Sequence, residues 1–384
     1  MTFVLHLFFT FLCLFASAAA IAEDNAPALR RGINLSNWLS DASRQPLFTR
    51  DFIRIKEAGF DHVRLPFDPE YFGFELDGVH GPQKTSFLEL DRAIGLAQIT
   101  DLHVVLDIHP DPQFMARLEN HPETERYFIA LWVAIASRYR NKPASMLAYE
   151  LLNEPQYYNN EKHYADFARM LVAAVRSVDK KHLIILGAPR GSSIEGLLKA
   201  EPVDDPDLAY DFHFFEPDII SHQGIHDGSF RGTMIPFFRG LPYPSDLVHA
   251  GAASYTGKGA NPKQAQGELN AYVRAGWNAD RMANRIQIAV NWANARHVHI
   301  FCGAFGVLRE RTDPDSRYRW IADVRKALES RKIGWDVWDY SDASGIVDLH
   351  GKTMIDADGT VKFINPDRGS RTIETQAYSA LGLK

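Results

Sequence analysis

With 384 residues, 46 % of them apolar and 12 % aromatic, the chain carries enough hydrophobic material for a large buried core, which excludes a disordered polymer. A net charge of −6 provides no basic field, so nucleic acid and anionic membrane are excluded as default partners, and a neutral, weakly polar ligand such as a sugar is favoured. Only Cys13 and Cys302 are present, which excludes a disulfide framework and a cysteine-based zinc site.

Residues 1–22 contain no Asp, Glu, Lys or Arg, run apolar from Phe3 to Phe15 and turn small over Ala16–Ala20. The apolar run is shorter than the roughly 20 residues a spanning helix needs, and the small residues fit a cleavage site ending at Ala20 or Ala22. The segment reads as a signal peptide and predicts a secreted or periplasmic protein. It lacks the usual Lys or Arg near Met1, so an uncleaved anchor is the alternative. Processing would also remove Cys13.

Beyond the leader, short β-rich apolar runs alternate with segments of helical period, the pattern of a parallel sheet with crossover helices. Eight strands are predicted: Arg31–Leu35, His62–Phe67, His103–His109, Leu147–Glu154, His182–Ala188, Ala209–Phe215, His299–Phe305 and Gly334–Tyr340. Helical segments such as Phe87–Gln98, Glu125–Tyr139, Tyr164–Val178, Arg281–Arg296 and Arg317–Ser330 separate them. This predicts an α/β fold, a (β/α)8 TIM barrel, with residues 23–384 forming one domain that acts as a monomer. Between the sixth strand and its helix, Glu216–Asp280 is far longer than an ordinary connection and rich in Gly, Pro and aromatics, so it is expected to build a rim. Barrel sites lie at strand C-termini, and those ends are polar here.

The fourth strand closes with Leu152-Asn153-Glu154-Pro155, a carboxylate beside an amide with a proline behind them. Glycoside cleavage needs a carboxyl group to protonate the leaving oxygen, and Glu154 suits that task, although a lone Asn-Glu-Pro also fits a solvated turn. The other ends read Gly32-Ile33-Asn34-Leu35, Val63-Arg64-Leu65-Pro66, Asp107-Ile108-His109-Pro110, Phe212-His213-Phe214-Phe215-Glu216-Pro217 and Trp335-Asp336-Val337-Trp338-Asp339-Tyr340. In order, spacing and barrel position these resemble glycoside hydrolase family 5, the cellulase family, over residues 29–350.

The resemblance implies Glu154 as general acid/base and Asn153 as the amide that bonds a sugar 2-hydroxyl. It implies Arg64 as the arginine that orients the nucleophile, His109 and His213 as lining of the cleavage subsite, and Trp338 as the aromatic floor under a sugar ring. Each also has a plain structural alternative: an ion-pair partner for Arg64, satisfied core histidines, and barrel packing for Trp338. An aromatic floor suits a pyranose with equatorial hydroxyls, so a β-linked polysaccharide or oligosaccharide is expected, β-1,4-glucan first, with mannan and xylan open. No cofactor and no metal is implied.

The pattern breaks on the seventh strand. Where the family has Gly-Glu-Phe-Gly with a nucleophilic Glu, this chain has Gly303-Ala304-Phe305-Gly306. Two residues after His213 the family has a tyrosine whose hydroxyl bonds that nucleophile, and here stands Phe215. The expectation is an endo-β-1,4-glucanase lineage with severely impaired hydrolysis, or a binding protein on the same cleft. Glu216 and Asp339, near strand ends, are the candidates for a substitute base in an inverting route. Glu150, deeper on the strand of Glu154, is expected to support the site from below.

Overall fold

The computed structural model describes residues 28–39, 47–72, 84–226, 228–348, 353–355, 361–363 and 372–384. The predicted signal segment lies outside them. Eight parallel strands close into a barrel in chain order. They are β1 (Arg31–Asn34), β2 (His62–Phe67), β3 (His103–Ile108), β4 (Leu147–Glu150), β5 (Leu183–Gly187), β6 (Leu208–Phe214), β7 (His299–Phe305) and β8 (Gly334–Val337). The ring is completed where β1 pairs with β8, Ile33 opposite Val337. This is the (β/α)8 architecture.

The crossover helices are α1 (Thr49–Ala58), α2 (Lys84–Ile99), α3 (Pro112–Asn120), α4 (Pro122–Tyr139), α5 (Glu161–Val178), α6 (Ile194–Leu197), α7 (Asp218–Ser221), α8 (Pro262–Ala275), α9 (Ala279–Arg296) and α10 (Pro314–Glu329), with α11 (Thr375–Leu381) at the end. Their starts are written in the sequence. Asp111 accepts the Phe114 amide before α3 and Asp313 the Ser316 amide before α10, each followed by proline in the first turn. Between β6 and α9, residues 215–278 hold α7, α8 and three short 3-10 turns.

Strand alternation sorts the core into two compartments. Outward residues such as Val63, Leu65, Val104 and Leu106 pack beneath the helices in one extensive cluster. Inward residues Val105, Ala148, Ile185, Ala209 and Phe301 form a separate small cluster inside the barrel. Two positions further along the same strands, the inward side chains become Asp107, Glu150 and Asp211, all fully buried. Period-two alternation therefore stacks an apolar layer under a charged one.

Two strands end three or four residues earlier than the sequence predicts. Pairing of β4 stops at Glu150 and not at Glu154, and β8 stops at Val337 and not at Tyr340. Single bonds continue beyond each end, from Leu151 N to Ile185 O (3.0 Å), Asn153 N to Ile108 O (2.9 Å) and Tyr340 N to Asn34 O (3.0 Å). The chain has left regular β geometry there: Glu154 lies at φ 43° and the Trp338–Asp339 peptide is cis.

Gly32 on β1 faces the buried pair of His62 and Asp336, whose Nε2 and Oδ1 lie 2.9 Å apart. A Cβ at residue 32 would fall 1.8 Å from Asp336 Oδ1 and 2.2 Å from His62 Nε2. Neither side chain has space to retreat. Gly32→Ala is expected to lower folding stability by about 3 kcal/mol or more, read from denaturant unfolding, and a loss below about 1 kcal/mol contradicts this packing.

Candidate active site at the strand C-termini

Arg64 is wholly buried on β2 and saturates its donors. Its Nε and Nη2 reach the two Glu150 oxygens at 2.7 and 2.6 Å, its Nη1 donates to Asn34 Oδ1 at 2.8 Å, and Nη2 also approaches Asn153 Oδ1 at 2.9 Å and Asp107 Oδ2 at 3.0 Å. Asn34 in turn donates to Gly303 O at 3.0 Å. Arg64 thus meets the site through Asn34 and Asn153, and Glu150 supports it from the deeper layer.

Asn153 is held at both ends of its amide. Besides accepting from Arg64, it donates from Nδ2 to His109 Nε2 at 3.3 Å, while His109 Nδ1 faces Asp107 Oδ2 at 3.1 Å. In the neutral ring these contacts favour the His109 tautomer with its proton on Nδ1. The His109 ring stacks on Trp338, centroids 5.6 Å apart and planes 20° from parallel. One face of the half-buried indole is therefore covered by histidine.

Glu154 sits one residue beyond Asn153. Its Oε1 is 2.7 Å from His213 Nδ1, and its side chain remains 38 % exposed, open to a ligand while pinned at one oxygen. Burial would raise its pKa, but the hydrogen bond from His213, the charge on that ring and the charges of His109 and Arg64 prevail, so the carboxyl is held below its ordinary value. His213 moves the opposite way. Burial alone would depress it, yet the Asp211 and Glu154 carboxylates push it up to about 10.

Position 304 lies beside this pair. In the pairing of β6 with β7, His213 is opposite Ala304, and Ala304 is 2 % exposed. The register slips here: Asp211 pairs with Phe301 and His213 with Ala304, and on the other edge Cys302 pairs with Trp335 and Phe305 with Val337. Strand β7 therefore carries an extra residue against both neighbours, a bulge around Gly303 and Ala304 that re-aims the side chain. Gly306 then passes so close to β8 that a Cβ would lie 2.1 Å from Trp338 O. Phe215, the residue after β6, sets its ring edge-on to His213 at 6.2 Å and tilted against His222 at 5.2 Å.

Sequence reasoning missed Asp211. Its Oδ1 accepts the Gly303 N–H at 2.5 Å and its Oδ2 lies 2.9 Å from His213 Nε2. The signal was available, since residue 211 shares strand parity with residue 213. The two proposed substitute bases are engaged elsewhere. Glu216 takes two bonds from Arg285 at 2.6 Å each, and Asp339 is fully buried, accepting from Ser36 and from the Asp342 amide at 2.8 Å. Glu150, Asp211 and His213 bring ligand atoms within 4.8 Å of one another, as a metal site would. Glu150 is held by Arg64, Asp211 by the Gly303 amide through Oδ1 and His213 by Glu154 through Nδ1.

The family model for cellulase, glycosyl hydrolase family 5, matches residues 21–344. The chain belongs to this family. Endoglucanase C of Acetivibrio thermocellus is 29 % identical over 328 residues, covering 82 % of this chain and 91 % of that protein. Endoglucanase 3 of Fibrobacter succinogenes is 25 % identical over 344 residues, 85 % of this chain and 51 % of that protein. Among solved structures, Cel5A of Thermotoga maritima in complex with cellobiose matches with a TM-score of 0.71 at 24 % identity, over 92 % of this chain and 97 % of that one. The same enzyme in complex with mannotriose matches with a TM-score of 0.69 at 23 % identity, over 94 % and 99 %. The fold is that of an endoglucanase-type family 5 barrel.

The buried groups that bind protons more tightly in this fold than in an unfolded chain include His62 at about 9, His213 at about 10, and Glu150 and Asp339 each at about 8. For Glu150 and Asp339 burial dominates, and for the histidines facing carboxylates outweigh it. From about pH 5 to 10 the folded state thus holds the extra protons, so stability falls as pH rises. The melting temperature is expected to be highest near pH 5 and to decline steadily to pH 9 or 10. A melting temperature that climbs across that range contradicts the assignment.

Proposed function

We propose that this family 5 protein is a secreted β-glucan-recognising barrel of endo-β-1,4-glucanase type, with Glu154 as its acid/base and Ala304 at the position of the nucleophile. The observation that carries this is the pairing of Ala304 with His213, the residue that grips Glu154. A retaining mechanism needs a second carboxyl group about 5–5.5 Å from the first, and alanine offers no attacking atom. Phe215 supports the same reading, because a tyrosine hydroxyl there would have no carboxylate to bond and an orphaned hydroxyl costs about 1–3 kcal/mol.

The depressed pKa of Glu154 compounds the loss. A general acid must be protonated when the leaving group departs, and a carboxylate at 304 would raise the Glu154 pKa by like-charge repulsion. Without it Glu154 rests ionised. Glu216 and Asp339 hold other partners, which favours sugar binding without turnover as the working state of the cleft. The apolar leader and small residues before Ala22 support export. Asn153, His109 and Trp338 supply polar and aromatic contacts suited to an equatorial pyranose, and the cellobiose and mannotriose complexes of the Thermotoga enzyme favour glucan or mannan as the ligand.

The double variant Ala304→Glu with Phe215→Tyr is expected to hydrolyse soluble β-glucan about 10⁴-fold or more faster than the chain as it stands, measured by reducing-end release. Equal rates would overturn the assignment of position 304. Calorimetry with cello-oligosaccharides is expected to give binding at millimolar ligand or tighter for the unaltered chain, weakened about tenfold by Trp338→Ala. Heat signals indistinguishable from dilution would remove the glycan reading.

A further inference from the structure

The two carboxylates on either side of His213 raise a question that the glycan reading leaves open. His213 Nδ1 is 2.7 Å from Glu154 Oε1, and Nε2 is 2.9 Å from Asp211 Oδ2. A neutral imidazole carries one N–H, so only two arrangements avoid a lone pair against a carboxylate oxygen. Either the ring is an imidazolium between two carboxylates, or Glu154 holds the proton and donates it to Nδ1 while the ring N–H sits on Nε2 beside Asp211. One proton separates the two, and it lies on one side or the other of the 2.7 Å contact.

Asp211 selects between them. It is fully buried, and its Oδ1 accepts the Gly303 N–H at 2.5 Å. That amide belongs to the β7 bulge, and the interaction fixes the carboxylate in place. A fixed negative charge beneath Nε2 stabilises the imidazolium and leaves Glu154 as the carboxylate. The other charged groups around the ring act in known directions. Glu150 on β4 places an oxygen within 4.8 Å of the same cluster but is itself clamped by Arg64 of β2, whose charge, with His109 of β3, favours an ionised Glu154. The His213 backbone is tied separately, its N–H donating to Ser192 O at 2.7 Å.

We propose that Asp211 is a positioning residue which, acting through His213, keeps Glu154 ionised, so that the cleft presents a base to its ligand and not an acid. This rests on the reading of Glu154 as the proton-transfer group of a glycan cleft. The same carboxylate braces the bulge that carries Ala304, and so ties the geometry of the vacant side to the protonation of the occupied one. The base state suits deprotonation of a sugar hydroxyl or a water on the face of Glu154. It does not suit departure of an alkoxide from a β-glycoside, which requires the proton to be on Glu154 beforehand.

Histidine-ring and carboxyl-carbon NMR titrations of the isotope-labelled full chain, with no sugar present, test this, using His213→Gln and Glu154→Gln to assign the signals. In the unaltered chain the His213 ring is expected to stay doubly protonated beyond pH 8, with the Glu154 carboxyl ionised at pH 6 and above. In Asp211→Asn, which keeps an oxygen for the Gly303 amide, the His213 midpoint is expected to fall by about one unit or more and the Glu154 midpoint to rise. Midpoints unchanged in a folded Asp211→Asn protein overturn the proposal. Should that variant fail to fold, a singly protonated His213 ring at pH 7 in the unaltered chain overturns it alone. Failure here leaves sugar binding by calorimetry untouched, and failure of sugar binding leaves these titrations readable.

Discussion

Arg64 is a guanidinium taken entirely out of water, and the barrel's upper half is organised around meeting that cost. Desolvating such an ion is unfavourable by several kcal/mol unless every donor finds a partner in good geometry. Here the partners come from Asn34 on β1, Asp107 on β3, Glu150 on β4 and Asn153 just after it. Asn34 passes the constraint on to Gly303 O of β7 and Val337 O of β8. One cation therefore ties six of the eight strands together at the level where ligand would bind. Asn153 cannot turn without stranding either Arg64 or His109, and Glu154, next in the chain, inherits that rigidity.

The same layer is crowded with acids, and its charge is balanced by proton uptake as well as by Arg64. Burial pushes Glu150 up to about 8 despite the facing guanidinium, and the neighbouring Asp107 and Asp211 push in the same direction. Where the acids face imidazoles instead, the proton goes to the ring: His62 lies between Asp61 and Asp336, and His213 between Asp211 and Glu154. An interior with this many carboxylates stays folded near neutrality by holding protons that an unfolded chain would release.

Much of this was legible in the sequence. Strand β2 and strand β7 have the boundaries read from composition and alternation. Residues Arg64, His109, Asn153, Glu154, His213 and Trp338 stand out in the sequence at strand ends, and hydrogen bonds and ring stacking bring them to one rim. The irregular features were not legible. Nothing in Leu151–Pro155 announces that pairing stops at Glu150 and that Glu154 turns to positive φ, since the apolar pattern continues through Leu152. The bulge at Gly303 and Ala304 escaped for a similar reason: an extra residue in one strand alters pairing with neighbours, and a single strand's own pattern does not record its register. Strand parity with His213 points to Asp211, but its hold on the Gly303 amide is visible only once that bulge is known.

The changes at 304 and 215 have a common physical consequence. In the proposed reading, removing a carboxylate from β7 takes away a like charge facing Glu154 and an acceptor for any hydroxyl at 215. Both losses push the site the same way, toward an ionised Glu154 gripped by His213 and an apolar ring resting between His213 and His222. The polar layer below is a different matter. A buried ion network is often no more stabilising than an apolar core of the same volume, so stability alone gives little reason for Arg64, Glu150, Asp107 and Asp211 to occupy the inside of the barrel. What that layer does supply is orientation: its contacts hold the Asn153, His109 and His213 side chains around one opening. A cleft built for orientation retains its use when turnover is lost, because recognition of a sugar depends on fixed donors and a free aromatic face and not on an attacking carboxylate.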